Sequence, residues 1–148
     1  RFEAGLRGEA VAFFDVDRTG GDFSRWIIGL DYQFTPEIYS LIEYHFNGEG
    51  IGDPGAYEPG RLMTGDILNL GRRFLYARTD YRFHPLWNLS ISVDQSITDG
   101  SGLASCLVTW SASGSIDAVA GVRYTYGDPF EEFSYYPTSF YMKGTLHF

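Results

Sequence analysis

The sequence predicts an all-β protein, an antiparallel up-and-down barrel of about eight strands, on three observations. Apolar and polar residues alternate along most of the 148-residue chain, with hardly any helical period. Clusters of Gly, Pro and Asp cut that alternation into eight segments of 9 to 13 residues. The separators then alternate between tight and longer ones, so all tight turns fall at one end of an up-and-down sheet and all longer loops at the other.

The strands are expected at 2–14, 24–34, 38–46, 72–83, 88–97, 103–111, 116–126 and 138–148. Because side chains alternate across a strand, each segment splits into two faces. The first places Phe2, Ala4, Leu6, Ala10, Ala12 and Phe14 on one face. The second adds Trp26, Ile28, Leu30, Tyr32 and Phe34, and the third Ile38, Ile42, Tyr44 and Phe46. The fourth and fifth bring Leu75, Ala77, Tyr81 and Phe83, then Leu89, Ile91, Val93 and Ile97. The last three supply Ala104, Cys106, Val108 and Trp110, then Ile116 through Tyr126 at every second residue, then Phe140, Met142, Leu146 and Phe148. Arg73 is the one charge of this parity. The segment 47–71 is the long irregular loop, with a short helical turn expected near Leu62–Leu70.

The opposite face carries seven acids (Glu3, Glu9, Asp31, Glu43, Asp80, Asp94, Asp117) and seven bases (Arg7, Arg25, Arg72, Arg78, Arg82, Arg123, Lys143). The longer loops are different. Asp15, Asp17, Asp22, Glu49, Asp53, Glu58, Asp66, Asp99, Asp128, Glu131 and Glu132 stand against Arg18 and Arg61 alone, so nearly all of the formal net charge of −8 belongs to one rim.

Composition excludes several classes. An acidic chain with a single Lys lacks the basic surface that nucleic-acid binding requires, so no nucleic acid is expected. One Cys makes neither an internal disulfide nor a zinc cluster. No Gly-rich run precedes a helix as a phosphate-binding loop does, and no metal or cofactor is expected. No apolar run approaches the ~20 residues of a membrane helix, but a transmembrane barrel hides its apolar surface at alternate residues. The length points to one domain, 1–148, able to bury a sizeable core. A start at Arg1, without Met or secretory signal, reads as a processed chain or as the C-terminal strands of a larger barrel.

Alternation alone does not separate a membrane barrel from a soluble, lipocalin-like ligand-binding barrel. The distribution of aromatics favours the membrane. Trp26, Phe34, Tyr44, Phe46, Phe83, Trp110, Tyr126, Phe140 and Phe148 cluster at strand ends, while mid-strand positions are mostly Ala, Leu, Ile and Val. That is the two-girdle pattern of bilayer interfaces. The expectation is therefore a transmembrane barrel with short periplasmic turns and longer outer loops.

The final strand, Ser139-Phe-Tyr-Met-Lys-Gly-Thr-Leu-His-Phe148, the girdles and the loop alternation together resemble a Gram-negative outer-membrane β-barrel protein. A terminal Phe with Leu146 and Gly144 before it resembles the signal read by the barrel-assembly machinery. The segment Gly29–Asn47 resembles a hairpin of proteobacterial porin-like proteins, in whose C-terminal portion it would fall. The resemblance implies an outer-membrane location and contact with outer-membrane lipids and lipopolysaccharide, through divalent cations where acidic loops meet phosphates. It also implies a homo-oligomer or larger complex.

Three functions follow as expectations. The first is a non-enzymatic, porin-like channel or transport component, with Arg25, Glu43, Arg72, Arg78, Asp80, Arg82 and Arg123 lining the lumen and setting selectivity. The second is a closed eight-stranded anchor or adhesion scaffold, its lumen plugged by pairs among Glu9, Glu43, Arg78 and Asp80. The third is the soluble barrel. Acidic outer loops (Asp15, Asp17, Asp22, Glu49, Asp53, Glu58, Asp128, Glu131, Glu132) would draw cations or bridged lipid. His45 is the candidate base of a lipid-modifying enzyme, but His84 and His147 lie far from it and no triad is apparent, so no catalytic residue is expected. The carboxylates of Asp15–Asp22 have calcium-loop spacing, but Trp26 stands where a bidentate Glu would be needed.

Overall fold

The computed structural model describes residues 3–14 and 21–147. Eight strands form one sheet in chain order: β1 (Glu3–Phe13), β2 (Phe23–Thr35), β3 (Ile38–Asn47), β4 (Arg73–His84), β5 (Trp87–Ser96), β6 (Gly102–Ser113), β7 (Ile116–Tyr126) and β8 (Ser139–Leu146). Every neighbouring pair is antiparallel, and each strand begins and ends within two residues of the expected bounds. The sheet is open: β1 and β8 are its two edges.

Register keeps the expected parity from one edge to the other. Leu6 faces Leu30, Leu30 faces Ile42, Ile42 faces Ala77, Ala77 faces Val93, Val93 faces Ala104, and Ala104 faces Tyr124, an unbroken apolar row over seven strands. A one-residue slip would turn a whole strand over, so this continuity is what the alternation specifies. Three irregularities, at Gln33/Thr35, Tyr81/His84 and Ser111/Ser113, all lie beside tight turns.

The apolar row is uncovered. Leu6, Leu30, Phe140 and Met142 are 74%, 57%, 82% and 88% exposed. The apolar side chains that are buried are few among the described residues: Ile67, Leu70, Phe74 and Phe133, all at the long-loop end. The length-based expectation of a sizeable core is therefore corrected: the apolar residues of the strands sit on an exposed face, and the few buried apolar side chains lie under the longer loops. The short helix also lies earlier than expected, at α1 (Pro59–Met63), with two 3₁₀ turns at Pro54–Ala56 and Glu132–Tyr135. Pro59 presets the first helical φ, and Gly65 at φ +78° ends the excursion where other residues would be strained.

Candidate functional site: the polar face and its loop cap

On the polar face, charges meet within and across strands. Arg7 of β1 reaches Asp31 of β2 at 3.4 Å and Glu43 of β3 at 3.8 Å, and donates to the Tyr39 hydroxyl at 3.2 Å. Glu43 also holds His45 Nε2 at 3.2 Å. Arg78 pairs with Asp80 at 2.9 Å, one of the expected contacts, whereas Glu43 takes its partners from outside the expected set. The face is crowded: a Cβ on Gly29 would come 2.8 Å from the Glu43 side chain, and one on Gly121 would come 2.7 Å from the Tyr141 ring. Glycine at these two places lets large neighbours lean over the strand.

Other expected lumen residues have different positions. Arg72 precedes β4, and its Nε donates to Gly50 O at 2.9 Å, so it braces the long loop instead of standing on the strand. Arg25 ion-pairs with Glu49 and donates from Nε to Asn47 Oδ1 at 3.2 Å. Arg82 lies at the tight-turn end, its backbone N–H on Glu37 O at 2.8 Å. Arg123 stands exposed on β7 between Ser105 and Ser139.

The longer loops fold onto the upper end of this face and tie to one another. Glu132, fully buried, accepts from Gly71 N at 2.7 Å. Its own N–H donates to Asp99 Oδ2 at 2.9 Å. Asp99 also accepts from Tyr57 Oη at 2.9 Å, and from Ser101 N and Oγ at 2.9 and 2.8 Å. Three chain segments, around residues 57–71, 99–101 and 132, are thus joined above Leu70 and Phe133. Burial pushes the Glu132 carboxyl up, against the backbone donors that favour its charge. Burial also pushes Asp99 up, but the donors from Glu132, Ser101 and Tyr57 outweigh it and hold Asp99 below the usual range. Burial, then Asp99, raise the Tyr57 phenol.

The acidic rim is accordingly smaller than expected. Glu132 is inside the cap, and Glu49 is partly buried on Arg25. Asp53 caps a 3₁₀ turn through Gly55 N at 3.0 Å, and Glu131 accepts from Asp128 N at 2.6 Å. Glu58 lies 3.9 Å from Arg61, its side chain 63% exposed, and Asp22 and Asp128 are exposed. Asp15, Asp17 and most of the calcium-like loop lie outside the described residues, as does Phe148. Among the described residues, no group of three or more His, Cys, Asp and Glu is placed to hold a metal ion.

The aromatics form two rows on the apolar face. At the long-loop end, Trp26 stands 5.3 Å from both Tyr44 and Phe46, and Tyr126 and Phe140 occupy the corresponding ends of β7 and β8. Phe34, Phe83 and Trp110 make the row at the tight-turn end. Trp87, expected in a turn, joins this row by stacking on Trp110 at 5.4 Å. Its place opposite an aromatic of the right parity was the available signal. His45 touches Glu43, while His147 sits 2.9 Å from Asp117 at the other end of the sheet and His84 accepts from Leu86 N at 3.2 Å in a tight turn.

Fold and site together define an eight-stranded antiparallel meander with an exposed apolar face and a capped, charge-bearing polar face. Compared with protein-family models, with curated proteins and with solved structures, the chain matches none.

Proposed function

We propose that this chain is part or all of an integral outer-membrane β-barrel, acting as a non-enzymatic, porin-like channel or transport component. The observation that carries the reading is the exposed apolar face, continuous across all eight strands and edged by aromatic rows. Water makes such a face costly and a bilayer makes it favourable. Trp26 and Phe34 are eight residues apart on β2, about 26 Å along the strand and ~20 Å once tilted by ~40°. That approaches the ~25 Å apolar band of such barrels. The soluble-barrel alternative would place these side chains inward.

The open edges of the sheet favour a wall that other strands complete. The crowding over Gly29 and Gly121 favours the second reading, a closed eight-stranded anchor with a plugged lumen. Contacts with lipopolysaccharide, divalent cations and the assembly machinery belong to both readings.

The test has two stages. Folded protein in micelles should show heat-modifiable gel mobility and insert into liposomes; a monodisperse protein soluble without detergent overturns the membrane reading. Inserted protein should then give stepwise conductance in planar bilayers, with ion selectivity altered by Arg78→Glu. Silent bilayers with correctly folded protein would select the anchor.

A further inference from the structure

Each edge strand, β1 and β8, has a hydrogen-bonded neighbour on one side only. A bilayer offers no hydrogen bonds to the unpaired N–H and C=O groups of such an edge, so another strand has to pair it. The two edges carry side chains that match. Glu9 of β1 and Lys143 of β8 are both exposed, and among the described residues neither side chain has an ion pair or a hydrogen bond. Set opposite each other in an antiparallel pair, they fix the rest of the register. Val11, half exposed although it lies on the polar face, then meets the half-exposed Tyr141. On the apolar face Ala10 and Ala12 meet the exposed Met142 and Phe140, and Leu6 meets Leu146. Opposite charges and small-against-large pairs of this kind stabilise a ladder. A slip of two residues sets Arg7 against Lys143, like charges, or in the other direction leaves Glu9 without a base. A slip of one reverses the faces.

The slant of the sheet agrees with this register. Followed straight across the ladders, the row from Glu3 passes Tyr39, Ser90 and Gly121 and ends at Tyr141. With Tyr141 opposite Val11, eight strands climb from Glu3 to Val11, a rise of eight residues. At ~3.3 Å per residue and ~4.8 Å per strand the tilt is about 35°, within the range of closed barrels.

In a single chain the two edges are not joined, and the side chains of Arg7 and Arg78 on the polar face are 47% and 44% exposed. Closure on eight strands would leave an interior that side chains fill, whereas sixteen strands leave an aqueous channel. We propose that two copies of this chain join edge to edge, β1 of each on β8 of the other, with a Glu9–Lys143 pair at both seams. Because the strand number is even, copies in the same orientation meet antiparallel and keep all longer loops at one rim. The pairing rests on the channel reading and extends it by naming the strands that complete the wall.

Full-length chains carrying Cys106→Ser with either Glu9→Cys or Lys143→Cys are folded together, in micelles or in buffer, whichever keeps them folded. A short bifunctional thiol reagent should yield a linked species of twice the chain mass. Glu3→Cys in place of Glu9→Cys, six residues along β1, should yield at least tenfold less. A chain carrying both Glu9→Cys and Lys143→Cys should also link to dimers. An internally linked monomer there shows one chain closing on itself and overturns the proposal, as does the absence of the mixed product. Without a cross-linker, Glu9→Lys should weaken dimerisation at least fivefold by sedimentation, and adding Lys143→Glu should restore it. Both residues are exposed on edge strands, so these changes leave the fold of each chain in place. A wild-type chain that stays monomeric, or an exchange that fails to restore the dimer, overturns the pairing. Liposome insertion and conductance of the same preparations score the channel reading separately, so a dimer of this register that does not insert overturns that reading alone.

Discussion

β3 and β8 are built on one alternating pattern, yet β3 is partly covered along nearly its whole length and β8 is exposed along nearly all of it. β1, at the other edge, resembles β8 in this. The difference does not come from strand chemistry. β3 has a hydrogen-bonded neighbour on both sides and receives the folded-back loop 47–71, whereas each edge strand has one neighbour. Cover in this molecule is supplied by contacts between loops distant in sequence, because among the described residues the sheet has no second layer to pack against its apolar face. The capped end should therefore carry a disproportionate share of the sensitivity to mutation, and the edges little.

The largest expected effect tests that contrast at its centre. Glu132→Ala strips a buried N–H at Gly71 of its acceptor and leaves a void, a loss of about 2–4 kcal/mol by the usual cost of unsatisfied buried groups and cavities. Denaturant unfolding of the folded protein measures it, and protease cleavage at Arg61 should rise in parallel. Glu132→Gln keeps an acceptor and should cost less. A loss for Glu132→Ala below about 0.5 kcal/mol, the range of ordinary surface changes, would break the contrast.

A smaller effect sharpens it with matched substitutions. A Cβ on Gly50 would lie 2.0 Å from the Gly71 carbonyl oxygen, a backbone atom that a side-chain rotation does not clear, whereas one on Gly144 of β8 meets nothing within 4 Å. Gly50→Ala should cost about 1–3 kcal/mol as an overpacked site. Gly144→Ala should stay within about 0.5 kcal/mol of wild type. The same unfolding measurement compares the two.

The smallest effect is a pH dependence confined to the cap. Glu132 has a raised folded pKa, so its contribution is full below the ordinary carboxylate range and is lost as pH rises through the raised value. Asp99 has a lowered one, so its contribution is full above that range and is lost as pH falls through the lowered value. Protection of the amides of residues 67–71 against hydrogen exchange, corrected for intrinsic rates, should peak at mildly acidic pH and fall on both sides. Glu132→Gln should flatten only the alkaline limb and Asp99→Asn only the acidic one. Protection that changes equally along β8 would show the dependence to be global.

The strands were legible because alternation has a period, and one period of two fixes both the element and the face it presents. Glu132 and Asp99 were not legible as cap residues. Their partners stand 61 and 33 residues away, and a polar contact of that range leaves no periodic trace. The density of rings around Glu132 (Phe130, Phe133, Tyr135, Tyr136) was the one local sign that this acid is not an ordinary solvated one. Arg72 was misplaced because parity places a side chain only where the strand has already begun, and β4 starts one residue later. Of the polar face, the residue types were visible but not their pairing: seven acids against seven bases on the strands does not disclose that Glu49, a loop residue, occupies Arg25.

The strictly sequential strand order also bears on how the molecule assembles. Each hairpin joins segments adjacent in the chain, while the Gly71–Glu132 bond closes a segment of 61 residues and spans four strands. Loop-closure entropy grows with the length enclosed, and long-range contacts are rewarded only after that cost is met. Hairpins can therefore form one after another from either side, and the cap can lock only when β4 through β7 are already in register. Its formation is a natural end-point marker for folding kinetics, a late event set on top of early local ones.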